Sequence, residues 1–327
     1  MFLAPKTDQA IAWQPSASLT HLRLRAEILQ RIRQFFSERQ VLEVETPLLC
    51  QTSVTDPFIE SIPALFKLQA SAEPSIHYLQ TSPEYAMKRL IASGSGDIYQ
   101  VTKAFRQGEV GRFHNPEFSM IEWYRMGFDH YALMDEVNDF LQAVVQTQPA
   151  KRQTYQSIFM EYLGIDPQAT TVNALQHCAK AHHLQVEANI EDVDTWLNLL
   201  MSHCIEPHLG KDQPLFIYNF PKSQAALAKV TGEVASRFEV YLAGVELANG
   251  FHELQDAHEQ RLRFEKNGAE RHRLSLPAMP VDACFLAALH YGLPNCAGVA
   301  LGLDRLLMYA TQSQHIGDVI SFDFSRA

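Results

Sequence analysis

The segment EFSMIEWYR, residues 117–125, limits the possible folds more than any other part of the chain. Its aromatic and β-branched residues favour a strand, and a similar segment, DIYQVTKAF at residues 97–105, comes before it. A charged loop, residues 106–116, joins the two segments. We therefore predict a β-hairpin with a long functional loop, and an antiparallel sheet built around it.

The other segments predict how this sheet is completed. An amphipathic helix is expected from residue 19, then the extended run VLEVETPLL with Pro47, the strand HYLQT, and a helix in SPEYAMKRLIAS that Ser82 caps with Pro83 at its first position. Residues 131–207 have mostly helical periodicity, and strands return in PLFIYNF, RFEVYLAGVELANGF and AGVALGLDR. The pattern predicts an α+β fold: an N-terminal arm over residues 1–18, then one domain over 19–327 with a helical insertion at about 131–207.

Composition narrows the class of protein. The chain has 327 residues, 46% of them hydrophobic, and a formal charge of -10, which disfavours nonspecific attraction to nucleic-acid phosphates. The four arginines at positions 23, 25, 31 and 33 fit a solvated helix face. The five scattered cysteines fit reduced thiols, and neither a signal peptide nor a membrane span is evident, so we expect a cytoplasmic protein.

A carboxylate and a phenol share an apolar floor in the EFSMIEWY strand. Alternation places Met120, Glu122 and Tyr124 on one face, with Ile121 and Trp123 on the other. Such a pair can recognise a substrate ammonium, because a desolvated carboxylate supplies charge and a phenol oxygen accepts a hydrogen bond. An internal salt bridge to a core arginine explains the same pattern equally well.

The segment VELANGFHEL carries three polar residues that alternation alone does not bring together. A β-bulge at Gly250 would turn Glu246, Asn249 and Glu253 towards one cavity, because a bulge shifts the side-chain phase by one residue. Glu239 lies on the other arm of the same predicted hairpin. Two carboxylates here would hold Mg²⁺ through oxygen ligands, or else are solvent-facing edge residues.

The segment GVALGLDR places an arginine where a strand passes into a helix. Gly298 and Gly302 indicate either a flat nucleotide lying on the sheet or close sheet packing, and Arg305 stands at the junction. Neither a Walker A loop nor a dinucleotide-binding glycine fingerprint is present.

Together these segments resemble the three signature motifs of class II aminoacyl-tRNA synthetases. VLEVETP resembles the first motif, FRQGEVGRFHNPEF the second and GVALGLDR the third, while TSPEYAMKRL, MIEWY and ELANGFHEL resemble the lysine-binding segments of the lysyl branch. The resemblance covers the chain from about residue 16 onward. It implies an antiparallel catalytic sheet flanked by helices, ATP-dependent activation of an amino acid, and a homodimer whose interface includes the region around Pro47.

The resemblance also implies roles for individual residues. Arg106 would bind the α-phosphate and Arg305 the γ-phosphate of ATP, as the catalytic pair. The implied amino-acid contacts are Ser82, Pro83, Glu84, Glu122, Tyr124, Asn249, Glu253 and Ala300; the implied ATP contacts are Arg106, Gln107, Gly108, Glu109, Phe113, His114, Asn115, Glu246, Leu247, Gly302 and Arg305; Mg²⁺ would be bound by Glu239 and Glu246.

Within that branch, the chain is most similar to a family of truncated paralogues that lack the anticodon-binding OB-fold domain, since the first motif lies too near the start for such a domain to precede it. Those paralogues activate (R)-β-lysine with ATP and transfer it to a lysine of elongation factor P. This implies a protein acceptor and no anticodon recognition. Two rival functions stay open: a lysine ligase acting on tRNA without an anticodon domain, and a non-catalytic lysine sensor. Asparagine-type amide synthesis is disfavoured by the residues expected to recognise an ammonium.

Two positions depart from the lysyl pattern. Ala300 stands where lysyl enzymes usually have glycine, and its methyl group would push on the backbone end of a bound α-amino acid. This favours a β-amino acid, whose amine lies one carbon further along. Gly108 stands where the F-R-x-E pattern has the glutamate that reads adenine, and Glu109 follows it. That contact would come from Glu109 or from the backbone, or be lost.

Overall fold

A twisted sheet of nine strands forms the centre of the computed structural model, which describes residues 13–67, 69, 73–186 and 190–327. The strands of this sheet are β1 (Leu42–Glu43), β5 (Ile98–Phe105), β6 (Glu117–Met126), β7 (Lys151–Thr154), β8 (Leu215–Pro221), β9 (Val230–Thr231), β10 (Val234–Leu242), β11 (Val245–His252) and β12 (Cys296–Gly302). Their order is β1-β5-β6-β12-β11-β10-β8-β7, and β9 pairs with β10. Among the strand pairs of the described residues, only β1 with β5 and β7 with β8 are parallel. A separate sheet has the order β2-β4-β3, with β2 at Leu49–Cys50, β3 at Pro63–Phe66 and β4 at Ser75–Leu79.

Helices cover the sheet. They are α1 (Leu19–Glu38), α2 (Glu84–Ala92), α3 (His130–Val145), α4 (Tyr155–Leu163), α5 (Val172–Ala181), α6 (Val193–Leu200), α7 (Ala257–Arg273), α8 (Ala283–Gly292) and α9 (Leu303–Thr311). A π-helical turn at Met201–Ile205 and a 3₁₀ turn at Glu206–His208 follow α6. No helix in the described ranges has both the length and the apolar character that a bilayer crossing requires.

Several sequence predictions are confirmed by these elements. The hairpin of β5 and β6 is antiparallel, β10 and β11 form a second hairpin, and the turn between them places Ala243 and Gly244 at φ 54° and 80°. Helix α1 begins after Ser18, whose side chain accepts a hydrogen bond from the His21 amide. The α+β class is therefore confirmed.

Other local predictions need correction. Helix α2 begins at Glu84 with Pro83 as its N-cap, one residue later than predicted, although the Glu84 amide does donate to Ser82 Oγ at 3.2 Å. The mostly helical stretch contains β7, which pairs with β8 at one edge of the large sheet. Residues 1–12 of the predicted arm lie outside the described residues, and the Ser16 amide donates to the Ser321 carbonyl at 2.8 Å.

Within the described part of the chain, three hydrophobic clusters stabilise the fold. The largest lies between the sheet, α1, α3 and α9, and includes Phe36, Trp123 and Phe140. A second packs α4, α5 and α6 against β8 and β10, and a third joins α2, α7 and α8 beneath Tyr124. Because Ile121 and Trp123 are buried in the first cluster, the opposite face of β6 is left for Glu122 and Tyr124.

Candidate active site

The strand register brings predicted site residues from four strands into rows across one face of the sheet. Glu239, Asn249, Ala300 and Glu122 are consecutive cross-strand partners, and Gln100 ends the row. Directly opposed residues in antiparallel strands share a face. The adjacent row contains Arg237, Phe251, Gly298, Tyr124 and Ile98 in the same strand order. The sheet therefore places residues distant in sequence in one continuous surface.

The bulge that this arrangement needs lies three residues before its predicted position. Val240 pairs with Ala248 while Tyr241 pairs with Glu246, so Leu247 is the extra residue. Gly250 pairs regularly with Phe238, and a β-carbon at Gly250 would lie 2.3 Å from the Phe238 ring. The glycine is thus required by close packing, and the bulge at Leu247 turns Glu246 to the same face as Asn249.

Four ionisable side chains and a phenol form a buried cluster at one end of the rows. We call Glu84, Lys88, Glu122, Tyr124 and Glu253 the ammonium pocket, after the group that the sequence predicts they recognise. Tyr124 donates to Glu122 Oε1 at 2.6 Å, and Lys88 Nζ lies 2.5 Å from Glu84 Oε1 and 2.6 Å from Glu253 Oε2. Lys88 and Glu253 are each only 1% exposed. Glu122 pairs with no arginine in the described part of the chain, so the alternative of a salt bridge to a core arginine is not supported.

The pocket contains three carboxyl groups but only one cation among the described residues, and burial favours their protonated forms. Burial raises the pKa of Glu122 to about 8, and the charge of Glu84 adds to the shift. Burial also raises the pKa of Glu253 to about 8, although the nearby Lys88 ammonium opposes that shift. For Lys88, burial alone would lower the pKa, but the charges of Glu253 and Glu84 raise it overall, so the lysine stays protonated.

Two positions of β12 set the shape of the same pocket. A β-carbon at Gly298 would lie 2.3 Å from the Tyr124 ring and 2.6 Å from Glu253 Oε1. For Gly298 the structure therefore favours close packing over a nucleotide platform. Ala300 stands between Asn249 and Glu122 in the cross-strand row, so its methyl group lies between the two ends expected to hold the amino acid.

On the side predicted to bind the nucleotide, the Arg305 guanidinium is held by backbone carbonyls and one histidine. It donates to the Glu246 carbonyl at 2.6 Å and to the Phe113 carbonyl at 3.5 Å, and Nη2 lies 2.8 Å from His114 Nε2. Burial and then the Arg305 charge lower the pKa of His114, so its neutral ring accepts this bond. Among the described residues Arg305 has no carboxylate partner, so these contacts fix the guanidinium and leave its positive charge available to an anion.

Arg106 lies at the start of the long loop, where its guanidinium is 5.1 Å from the Phe118 ring and 3.6 Å from Glu109 Oε1. Its buried Nε has no hydrogen-bond partner among the described residues. Gly108 adopts φ 77°, a left-handed conformation that explains the glycine, and a β-carbon there would meet no atom within 4 Å. Gln107 is exposed, and its amide donates to the Glu60 carbonyl at 2.8 Å.

Three further residues predicted to contact the nucleotide differ in their surroundings. The Asn115 side chain donates to the Glu117 carbonyl at 2.7 Å and accepts from the Phe324 amide at 2.9 Å, which braces the loop against the C-terminus. The Leu247 side chain is buried in the largest cluster, which leaves only its backbone for a ligand. A β-carbon at Gly302 would meet only Arg305, at 3.6 Å.

Acidic side chains surround the opposite end of the row. Glu239 pairs with Arg237 and accepts from Tyr241 at 2.5 Å, and Tyr241 also reaches Glu206 at 3.3 Å. Burial raises the pKa of Glu239 to about 7; Arg237 opposes the shift, and the charges of Glu246 and Glu206 add to it. Glu239 is therefore not the solvent-facing edge residue that the alternative required.

A cavity of about 370 Å³ opens beside this acidic end. Glu239, Glu246, Glu206 and Arg237 line it together with aromatic residues, including Tyr155 and Phe220. No group of three or more His, Cys, Asp or Glu side chains within the described ranges is placed to hold a metal ion by itself. A cation here would need further oxygen ligands, which phosphate groups can supply.

A buried ion pair supports the strand-to-helix junction from behind. Arg25 Nη1 lies 2.6 Å from Asp304 Oδ1, and Asp304 Oδ2 accepts from the Ser119 amide at 2.6 Å. The sequence predicted that Arg25 lies on a solvated helix face, and this ion pair shows that the prediction is wrong for Arg25. The pair ties α1 and β6 to the residue before Arg305.

Three site residues escaped the sequence interpretation: Lys88, Arg237 and Glu206. Lys88 follows Glu84 by four positions on α2, a spacing that predicts contact on a helix. Arg237 precedes Glu239 by two positions on β10, which places both on one face. Glu206 follows the π-helical turn, and no comparable sequence pattern points to it.

A family model for tRNA synthetases class II (D, K and N) matches residues 8–326. The chain belongs to this family, whose members are ATP-dependent ligases, and the resemblance drawn from the sequence motifs is confirmed.

Individual relatives are similar along almost their whole length. The protein named elongation factor P--(R)-beta-lysine ligase from Edwardsiella ictaluri (strain 93-146) is 49% identical over 320 residues, covering 97% of this chain and 98% of that protein. Proteins of the same name from Proteus mirabilis (strain HI4320) and Haemophilus influenzae (strain PittGG) are 50% and 48% identical, each over 96% of this chain and 98% of the relative.

Proposed function

We propose that this protein is an ATP-dependent ligase that activates (R)-β-lysine as an aminoacyl-adenylate and transfers it to the ε-amino group of a lysine on elongation factor P. The observation that carries the proposal is the ammonium pocket, in which buried carboxylates outnumber the cations that face them. Such a pocket suits a substrate that brings ammonium groups. Relatives about half identical over nearly their full length carry the name of this activity.

The reaction requires two bond exchanges. The substrate carboxylate attacks the α-phosphorus of ATP, a carbon-bound oxygen becomes bonded to phosphorus, and pyrophosphate leaves. The neutral acceptor amine then attacks the acyl carbon, the bond from that carbon to the AMP oxygen breaks, AMP leaves, and the nitrogen of the new amide loses one proton to solvent. Arg106 and Arg305 would stabilise the negative charge that develops on the phosphate oxygens, and Asn249 would hold the substrate carboxylate. Positioning and charge stabilisation suffice, because the nucleophile belongs to the substrate.

In the pocket, Glu253 and Tyr124 would recognise the side-chain ammonium with support from Glu122. Glu84, with Ser82 and Pro83, would contact the amine nearer the carboxylate. Glu109, Phe113, His114, Asn115 and Gly302 are the proposed contacts to the nucleotide, with backbone contributions from Gln107, Gly108 and Leu247. The half-buried Glu109 next to Arg106 is available in place of the glutamate that Gly108 replaces.

Glu239 and Glu246 would hold Mg²⁺. The fit rests on Glu239, a buried carboxylate with two further carboxylates and one arginine around it. When bound, Mg²⁺ would neutralise phosphate oxygens and stabilise pyrophosphate as a leaving group.

The small sheet suggests how two copies of the chain would associate. Leu49, Leu65, Phe66 and Ile76 are exposed on or beside its strands, close to Pro47. We propose a homodimer through this surface, as the first motif implies, because exposed apolar patches of this kind mark interaction sites. Light scattering of the purified protein should give the mass of two chains, and Leu65→Asp with Ile76→Asp should give the mass of one.

Intact-mass measurement of elongation factor P tests the proposed function. After incubation with the protein, ATP and (R)-β-lysine, the factor should gain the mass of one β-lysyl group, and bulk tRNA should remain unmodified. Labelled tRNA with unmodified factor would establish the tRNA ligase instead. No exchange of labelled pyrophosphate into ATP with any lysine isomer would favour a sensor. A translation factor as acceptor places the reaction in the cytoplasm.

A further inference from the structure

Lys88 places a protein ammonium inside a pocket proposed to bind substrate ammonium groups. Its Nζ touches carboxylates from two separate elements: Glu84, one turn earlier on α2, and Glu253, which follows β11. We propose that Lys88 is a positioning and specificity-determining residue, which holds Glu84 and Glu253 in place and leaves the pocket with a net charge that matches a substrate bearing two ammonium groups. This inference rests on the proposed function.

The formal charges of the pocket support this match. Once a bound cation favours the ionised form of all three carboxyl groups, Glu84, Glu122 and Glu253 contribute three negative charges, and Lys88 contributes one positive charge. The remainder is two negative charges. (R)-β-lysine carries one ammonium on the carbon next to the α-carbon and one at the end of its side chain, so its two cations balance this remainder.

A hydrogen bond left unmade in the pocket supports the same conclusion. Oε2 of Glu122 is buried and accepts no hydrogen bond from any described residue. Oε2 of Glu253, by contrast, already lies 2.6 Å from Lys88 Nζ. A buried acceptor without a donor is costly, so the Glu122 oxygen is open to a donor that a ligand brings.

The position of Lys88 fixes where the ligand's donors bind. Because one nitrogen contacts both Glu84 and Glu253, the carboxylate for the inner amine and that for the terminal amine cannot move independently. Tyr124 orients Glu122 from the sheet side, and Gly298 leaves room for Glu253. A lysine that served only to attach α2 to the sheet would not need to lie between two recognition carboxylates.

Equilibrium binding to two ligands tests this role by calorimetry. The ligands are (R)-3,6-diaminohexanoate and 6-aminohexanoate, which lacks the inner amine, and the readout is the ratio of their dissociation constants. Lys88→Met should lower the preference for the diamine about 10-fold or more, because the two carboxylates lose their common partner and this loss of position outweighs the additional negative charge that the substitution leaves. Lys88→Arg should lower it less, because the longer planar guanidinium keeps the charge but displaces at least one carboxylate.

Arg125→Met is the matched control. Arg125 also joins two carboxylates, Asp97 at 2.9 Å and Glu136 at 3.2 Å, but on the opposite face of β6 from Tyr124. It should leave the ratio within about twofold of the wild type. An equal loss of preference in Arg125→Met would mean general loosening of the fold and would overturn the proposal.

An unchanged ratio in Lys88→Met, with folding verified by circular dichroism, would also overturn it. If Lys88→Met does not fold, Lys88→Arg decides, and an unchanged ratio there has the same meaning. Failure of the proposed function gives a different result: the wild-type protein itself would then show no preference for the diamine.

Discussion

The two ends of the candidate site prepare for their ligands in different ways. In the ammonium pocket, Lys88 and Glu253 are almost fully buried and ion-paired, and Tyr124 is equally buried and donates to Glu122. On the side proposed to bind the nucleotide, Arg106 and Arg305 are half-buried, and Arg305 is held by backbone carbonyls and a neutral histidine. One end is thus an enclosed network of fixed charges, whereas the other presents cations to an open surface.

This difference predicts where each kind of mutation acts. A fully packed network transmits small changes in shape to the fold itself, because buried charges tolerate neither voids nor lost partners. An open cationic surface contributes little to folding but much to stabilising charge in the transition state. Substitutions in the pocket should therefore alter both stability and amino-acid binding, and those at the arginines should alter mainly catalysis.

The largest expected effect lies on the nucleotide side. Arg305→Ala should lower the rate of pyrophosphate exchange by about 10²–10³-fold, because a fixed positive charge next to the phosphates is lost. The melting temperature should change little. Arg112→Ala is a suitable control, since Arg112 is exposed on the loop of residues 106–116 and its side chain hydrogen-bonds to Gln314 at the protein surface. Equal rates in the two variants would remove Arg305 from the mechanism.

A pair of glycine substitutions on β12 compares the two ends directly. Gly298→Ala should destabilise the protein by about 1–3 kcal/mol and weaken binding of the amino acid, because the new methyl group would collide with Tyr124 and Glu253. Gly302→Ala adds its methyl group in ordinary contact with Arg305 and should leave both properties nearly unchanged. Chemical denaturation and calorimetry measure the two effects. Similar destabilisation in both variants would contradict the distinction between the ends.

The pH dependence of stability tests the charge state of the pocket. Since the pKa of Glu122 is raised to about 8, the native carboxyl keeps its proton where the unfolded one, with a pKa near 4.3, has lost it. Between about pH 5 and 8 the native state binds more protons, so the free energy of unfolding should fall as pH rises, by up to about 1.4 kcal/mol per pH unit for one proton. Glu122→Gln should reduce this slope.

Glu117→Gln is the control for that measurement, because Glu117 lies on the same strand in an exposed pair with Lys103 at 3.2 Å. It should leave the slope as in the wild-type protein. A Glu122→Gln variant as steep as the wild type would show that Glu122 is ionised in the native state across this range.

The smallest expected effect concerns one methyl group. Ala300→Gly should shift the preference from β-lysine towards α-lysine by about 10-fold, a typical contribution of one methyl group to discrimination. Pyrophosphate exchange with each isomer measures the shift. Unchanged selectivity would mean that another residue distinguishes the two isomers.

The sequence predicted the faces of the strands better than their registration. Alternation alone placed Glu122 and Trp123 on opposite faces of their strand, because successive side chains of a strand that packs on a core point to alternate faces. The bulge was expected at Gly250 because glycine is common at bulges, yet that glycine accommodates the Phe238 ring from the neighbouring strand. Such a contact depends on the pairing of β10 with β11, and a single strand contains no sign of it.

The site residues show the same difference between signals within one segment and contacts between distant segments. Glu253 and Tyr124 were expected together through a family resemblance, and the structure brings both against Gly298. Lys88 was missed although its spacing from Glu84 is a local signal, because its second partner, Glu253, is distant in sequence. Glu206 was missed because it reaches the site from a 3₁₀ turn that follows a π-helical turn, and neither turn gives a periodic sequence pattern.

Gly298 has a consequence for how this pocket can change over evolutionary time. No side chain fits at this position without displacing Tyr124 or Glu253, so the depth of the pocket depends on the lack of a β-carbon at Gly298. Ala300 lies two residues further along the same strand, in the row between Asn249 and Glu122. Gain or loss of a methyl group there changes the length available to a bound amino acid. New substrate ranges should therefore arise through position 300, while position 298 stays the same in every descendant that still binds an amine.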